Sequence, residues 1–206
     1  MMEPLTWWTI AAGLLALALF AGIVSLATRT DRLHNEVLRS RAMLERHLHA
    51  RASTALEIAH SGRLDPASAV ILADIATRAV ENPNALVPDG LDPNWESTPS
   101  IGAVETRDRA LVESELSRVL RLLGPQIREE YAHDAELQEL LTRLVGQWYR
   151  ATIARSLHNT RVVQSRELRN RFPVRVLHLA GRAPMPVTFD MDDEVPEPMR
   201  AGLHQE

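Results

Sequence analysis

The chain has 206 residues, a net charge of −4 and no cysteine. The missing cysteine excludes disulfides, thiol catalysis and cysteine-ligated metal sites, and the slightly negative charge argues against nucleic-acid binding through bulk electrostatics. Apolar residues make up 45% of the sequence and aromatic residues only 4%, and the abundance of Ala and Leu favours helices over strands.

An apolar segment without any charge covers residues 5–28, which read LTWWTIAAGLLALALFAGIVSLAT. It is long enough to cross a bilayer core about 30 Å thick, and Trp7 and Trp8 lie at one end, where aromatic rings prefer the headgroup level. A cleaved signal peptide is the alternative, because residues 25–27 (SLA) form a small-residue cleavage site. The leading MMEP has no basic residue, however, and the apolar run is longer than a signal peptide needs. We therefore predict an uncleaved transmembrane anchor over residues 1–29.

Basic residues flank only one end of this segment. None precedes it, and Arg29 and Arg32 are the first of several that follow it. Basic flanks stay on the cytoplasmic side of a membrane. The sequence thus predicts a single-pass protein of the plasma membrane, with its N-terminus outside and its body in the cytoplasm.

A long helix is predicted to continue from the anchor, because residues 30–61 contain neither Pro nor Gly. Its apolar residues are spaced alternately by four and seven, so the pattern repeats every eleven residues and predicts a nearly straight helix. These residues are Leu33, Val37, Leu44, Leu48, Ala55 and Ala59. Gly62 ends this helix. A second helix is predicted to run to about Glu81, with Asp65 as its N-cap and Pro66 as its first residue.

Residues 82–103 contain four Pro and two Gly, and we predict a long flexible loop there. Trp95 within it is interpreted as packing on the body, with a partner contact as the alternative. A third helix is predicted over residues 104–123, because Gly124 and Pro125 are typical of a helix end.

The fourth helix is predicted from Asp134 to Arg171, followed by a stop at Phe172 and Pro173. Its apolar residues recur at helical spacing. They are Leu137, Leu140, Leu141, Leu144, Val145, Trp148, Ala151 and Ala154. The tail, residues 181–206, is acidic and contains Pro, so we predict that it is disordered.

Four helices with short or moderate connections predict an all-α fold, an antiparallel up-and-down bundle over residues 30–180. In that arrangement the fourth helix returns to the membrane, and its arginine-rich end is expected at the anionic inner leaflet. The residues expected at the membrane surface are Arg29, Arg32, Arg161, Arg166, Arg169, Arg171 and Arg175. The alternative is that these arginines form a solvated face.

Several short motifs together resemble the LemA family of membrane proteins. The motif residues of the last long helix and its stop are Ala154, Arg155, Asn159, Val162, Phe172 and Pro173. Those after it are Gly181, Phe189 and Asp190, and those near the anchor are Asn35, Val37 and Arg41. The resemblance implies an antiparallel helical bundle on a single N-terminal anchor, an outside-to-inside topology and no assigned catalysis. The chain departs from the family pattern at His34 and His158, where the family has aromatic residues.

Asn35 and Asn159 fall at matching positions on the two long helices. Our preferred interpretation is that they are buried and fix the register of the helices. The alternative is a polar pocket that they form with His34 and His158.

Two functions remain open from the sequence. The first is a non-enzymatic scaffold or accessory for membrane protein complexes, with the lipid bilayer and other membrane proteins as partners and self-association as a further option. The second is a ligand- or metal-responsive sensor that uses the polar pocket. We expect no catalytic residues, no cofactor, no metal ligands and no nucleic-acid partner, because the chain lacks the motifs that those activities require.

Overall fold

The computed structural model describes residues 4–82, 86, 87, 91, 102–181 and 183–200. Regular structure in this part of the chain is helical, with no strand. The helices are α1 (Pro4–His60), α2 (Pro66–Val80), α3 (Gly102–Glu130), α4 (Ala135–Arg169), α5 (Phe172–Val176) and α6 (Glu197–Arg200). The predicted all-helical class is therefore confirmed.

The first part of α1 stands clear of the rest of the protein. Every side chain from residue 7 to residue 25 is exposed, including Trp7 and Trp8 at 63% and 76%. An 18-residue window of this stretch has a mean hydropathy of 2.5, and none of it is buried. By length and composition, α1 is therefore able to cross a membrane, and it continues without a break into the body.

The ends of the helices follow the cap chemistry of the sequence. The Asp65 carboxylate accepts hydrogen bonds from the backbone N–H groups of Ala67 and Ser68, at 3.0 and 3.1 Å, and Pro66 is in the first turn of α2. Gly62 has a φ of +70°, in the left-handed region that favours glycine, which suits the turn after α1. These positions confirm the predicted boundary between α1 and α2.

Helices α1 and α4 form the most extensive helix pair, and they run in opposite directions. Arg161 of α4 lies 3.1 Å from Glu36, whereas Arg143, earlier in α4, lies 3.0 Å from Glu57, later in α1. The C-terminal end of α4 consequently lies beside the part of α1 that follows the exposed apolar stretch.

The main apolar core lies at the far end of the body, where all four long helices contribute. Helix α2 runs antiparallel to α3, since Arg78 pairs with Glu115 at 3.0 Å and the carbonyl of Asn82 accepts from Arg109 at 3.3 Å. The predicted stripe of α4 is buried from Leu137 to Ala154. Helical periodicity therefore identified the core face of α4.

Helix α3 extends beyond its predicted end at Gly124 and Pro125. It continues to Glu130 with Pro125 inside it, although an internal proline loses a backbone hydrogen bond and costs about 3 kcal/mol. Ile127 is buried in the main core, and a Cβ at Gly124 would clash with Sδ of Met199. Packing of the last turns of α3 therefore offsets a local stop signal.

Three residues of the predicted flexible loop, 82–103, are buried. Leu86 and Val87 join a cluster between α1 and α4, and Leu91 joins a smaller one. Their apolar side chains cover the α1–α4 pair beyond the end of α2, so the prediction of flexibility is wrong at these positions. Most of the remaining loop, including Trp95, lies outside the described residues.

The acidic tail is also ordered where the structure describes it. Residues 183–200 lie against the body, and four of their apolar side chains are buried. Those side chains are Phe189, Met191, Val195 and Met199. The predicted disorder of residues 181–206 is therefore wrong for 183–200, because apolar residues interrupt the acidic run and the carboxylates find arginine partners.

Candidate functional site

The two asparagines predicted to face each other bond to backbone groups instead. Asn35 is exposed, and its amide donates to the carbonyl of Asp31 at 3.0 Å, one turn earlier on α1. It lies two positions before the buried Val37 and so faces away from α4, which makes the buried-register interpretation wrong for this residue. Asn159 is half-buried and exchanges two hydrogen bonds, both of 2.9 Å, with the backbone of Phe189.

The two histidines do not meet either. His158 is fully buried, with Nδ1 3.1 Å from Oγ of Ser40, and His34 lies more than a turn away along α1. The Ser40 hydroxyl also lies 2.8 Å from the carbonyl of Val37, so it links α1 to His158 of α4. The four predicted pocket residues are thus not brought together. Among the described residues, no group of three or more His, Asp or Glu side chains is placed to hold a metal ion.

A buried ionic cluster that was not predicted from the sequence joins α1 to α3. Arg51 and Glu113 are both fully buried. Arg51 donates to Oε2 of Glu113 at 2.7 Å and to Oγ of Ser117 at 2.8 Å. Arg109 donates to the other carboxylate oxygen, Oε1, at 3.0 Å, and the Arg51 guanidinium lies 5.6 Å from the centre of the Trp148 ring. Each oxygen of the Glu113 carboxylate thus accepts a hydrogen bond from an arginine of the same chain.

The sequence did carry a signal for this cluster. The eleven-residue stripe of α1 has gaps of seven, and the positions inside those gaps complete the buried face. They are Ser40, Arg41, Arg51, Ala52 and Thr54, all buried. Two arginines in a helical stripe that otherwise carries only apolar and small hydroxyl side chains indicate buried cations, which require buried acceptors.

The cleft between α3 and α4 holds a second group of polar contacts. These two helices touch each other little, and residues 187–199 contact both of them. Arg155 of α4 binds Asp193 through two hydrogen bonds of 2.7 and 3.0 Å, and Arg121 of α3 binds both carboxylate oxygens of Asp192. Hydrogen bonding from Arg121 holds the pKa of Asp192 below its ordinary value.

We expect this segment to loosen in acid. The folded pKa of Asp192 lies below its ordinary value of 3.8, so the pair with Arg121 stabilises the folded state fully above that pH and loses this effect as pH falls through the lowered pKa. The stability difference between the wild type and Asp192→Asn, measured by urea unfolding, should therefore shrink below about pH 4. A constant difference from pH 6 to pH 2 would contradict the assignment.

The arginines predicted at the membrane surface lie at one end of the body. Five of them are exposed: Arg29, Arg32, Arg166, Arg171 and Arg175. Arg161 instead pairs with Glu36, and Arg169 donates to the carbonyl of Pro184 at 2.6 Å, while burial lowers its pKa. The helix pairing brings the end of α4 next to the start of the buried part of α1, and contact with lipid stays a prediction.

The residues that carry the family resemblance have different surroundings. Phe172 is 75% exposed and Pro173 is in the first turn of α5. Gly181 has a φ of +57°, which favours glycine. Phe189 is buried and bonds to Asn159, so two of the motif residues meet although they lie far apart in the sequence.

An apolar groove of about 490 Å³ lies between α2 and α3, away from the apolar segment of α1. Val70 and Ile71, at 69% and 52% exposure, line it together with Val119. The groove offers apolar area with charged residues at its edge, which suits a protein contact more than a reaction.

The fold and these contacts define a helical protein that has one candidate membrane-spanning helix in the part of the chain that the structure describes. Comparison of the chain with protein-family models, with curated proteins and with solved structures gave no match. Its function is therefore inferred from its own residues and their contacts.

Proposed function

We propose that the chain is a non-enzymatic, single-pass membrane protein whose cytoplasmic body, an antiparallel four-helix bundle, serves as a scaffold or accessory for other proteins of the plasma membrane. The continuity of α1 carries this proposal. The same helix is exposed and apolar up to residue 25 and has buried side chains from Thr30 onward. An unbroken helix fixes the body at the membrane surface, which raises its effective concentration for partners in the same membrane.

Two observations support the proposed orientation. Basic residues follow the apolar stretch and none precedes it, which favours a cytoplasmic body. The exposed arginines Arg166, Arg171 and Arg175 lie at or beyond the end of α4, where anionic headgroups would attract them by about 1 kcal/mol each. The contact between Asn159 and Phe189 supports a distant relation to the LemA family, which stays part of the proposal.

The sensor alternative required His34, Asn35, His158 and Asn159 to share a pocket. Asn35 bonds to its own helix and Asn159 to the C-terminal segment, so no contact among the four favours that function. The scaffold role needs only surfaces, and the described residues offer them.

The topology can be tested with single cysteines, because the chain has none of its own. Glu3→Cys lies before the apolar segment, and Ser156→Cys is an exposed position on α4. In right-side-out membrane vesicles, a membrane-impermeant thiol reagent should label Glu3→Cys and leave Ser156→Cys unlabelled, and inside-out vesicles should reverse the pattern. Labelling of Ser156→Cys in right-side-out vesicles, or an intact mass that lacks the first 27 residues, would overturn the proposal.

A further inference from the structure

The C-terminal segment is held the way an extended peptide is held in a groove. Residues 183–196 form neither helix nor strand, and side chains of α3 and α4 bond to their backbone. These bonds join Asn159 to both backbone groups of Phe189 at 2.9 Å, Ser114 to the N–H of Asp192 at 3.1 Å, and Trp148 to the carbonyl of Asp193 at 3.1 Å. Side-chain bonds to main-chain groups position an extended chain whatever its sequence.

The side chains of the segment add specificity to this backbone recognition. Phe189 and Met191 alternate with acidic residues and are buried in the cluster between α1 and α4. Asp192 and Asp193 follow directly and are bound by arginines on different helices. The cleft therefore recognises an aromatic residue followed, three and four positions later, by two carboxylates. Charge-assisted, two-point contacts between Arg and carboxylate groups are among the most selective in proteins.

The cleft exists as a groove because α3 and α4 do not close on each other. Their direct contacts are few, and the segment bridges them from Ser114 and Arg121 on one side to Arg155 and Asn159 on the other. An extended peptide from another protein could make the same bonds. The chain's own segment would then be a competitor that lowers the free fraction of the groove.

We propose that the α3–α4 cleft is a docking groove for an extended acidic peptide of a partner protein, and that residues 187–199 occupy it in cis as an autoinhibitory segment. The inference rests on the proposed scaffold role, for which it names the class of partner. The partner peptide carries an aromatic residue and two consecutive carboxylates at the spacing of Phe189, Asp192 and Asp193. It binds by displacing the cis segment.

The test uses the full chain, one copy per lipid nanodisc, and a fluorescent peptide with the sequence of residues 187–199, VTFDMDDEVPEPM. In the host chain, Asp192→Asn with Asp193→Asn weakens the cis segment and leaves the groove intact. The peptide should bind this host at least about tenfold more tightly than it binds the wild type, because the free fraction of the groove rises. The matched control is Glu194→Gln, an exposed acid beside the pair, which should bind the peptide as the wild type does.

Two further variants show whether the peptide uses the groove. Adding Arg155→Gln to the double-substituted host should reduce peptide binding at least about tenfold, and a peptide with both aspartates changed to asparagine should bind as poorly. Should the double substitution alter the helical circular dichroism signal, the single Asp192→Asn host replaces it.

Equal binding to the wild type and to the weakened hosts would overturn the proposal, and so would binding that is indifferent to Arg155→Gln. Self-association is the competing explanation, and nanodiscs that hold two copies test it. If the segment of one copy crosslinks to the cleft of the other and the free peptide does not bind, the proposal is overturned in favour of self-association. The cysteine labelling is independent of this measurement. Peptide binding with a body outside the cell would contradict the scaffold topology alone, and a correct topology without peptide binding would contradict the groove alone.

Discussion

Replacing Arg51 with alanine is expected to lower the free energy of unfolding by about 3–5 kcal/mol. The substitution removes the shorter of the two arginine contacts of Glu113, at 2.7 Å, and leaves this fully buried carboxylate with Arg109 alone. It also removes the guanidinium from the face of Trp148. A buried charge that loses its partner is far more costly than the pair is favourable. Urea unfolding of the full chain in detergent, followed by circular dichroism, measures the change.

The matched control is Arg32→Ala, on the same helix. Arg32 also pairs with a glutamate, Glu36, at 3.0 Å, but its side chain is 81% exposed. Exposed pairs contribute between about 0 and 1 kcal/mol, so this variant should unfold close to the wild type. The double variant Arg51→Met/Glu113→Gln should recover part of the loss, because it also removes the buried carboxylate that Arg51→Ala leaves with one arginine instead of two. A cost of less than 1 kcal/mol for Arg51→Ala would contradict the buried cluster.

The parts of the fold that the sequence predicted are those governed by local physics. The apolar run before Arg29, the cap at Asp65 and the apolar stripe of α4 each depend on residues within a few turns of one another. The structure agrees with these predictions to within a few residues, including the N-cap of α4 at Asp134.

The parts that the sequence did not predict depend on partners far away in the chain. Helix α3 passes through Pro125 because its last turns pack against the core. The acidic tail is ordered because Asp192 and Asp193 meet arginines 71 and 38 residues earlier. Local composition indicates a stop in the first case and disorder in the second, and only the tertiary contacts reverse both.

In the candidate site, too, the sequence predicted local features but not the contacts between distant residues. Asn159 was predicted to be buried and to fix the helix register together with Asn35, whereas it is half-buried and bonds to the backbone of Phe189. A polar residue on a buried helix face indicates that a specific contact exists. Its partner can be identified only when the path of the C-terminal segment is known. That path also connects the buried cluster to the groove through Trp148, which lies beside Arg51 and bonds to Asp193.

Replacing this tryptophan gives the second large effect that we expect. Trp148 is fully buried in the main core, and a change to alanine should lower the free energy of unfolding by about 3–5 kcal/mol through lost burial and the cavity it leaves. The neighbouring Tyr149, 52% exposed, is the control, and Tyr149→Ala should stay within about 0.5 kcal/mol of the wild type. Urea unfolding of the full chain measures both, and equal costs for the two variants would contradict the packing.

Trp148→Phe separates the packing of the ring from its hydrogen bond. Phenylalanine keeps an aromatic ring in the core but cannot donate to the carbonyl of Asp193, now bonded at 3.1 Å. We expect a loss of about 1–3 kcal/mol from the unsatisfied carbonyl and the smaller ring. Hydrogen exchange should increase mainly in the C-terminal segment, at the N–H of Phe189 and of Asp192, because that bond ties the segment to α4. Faster exchange throughout α4, with the segment unchanged, would show that Trp148 stabilises the core without holding the segment in its groove.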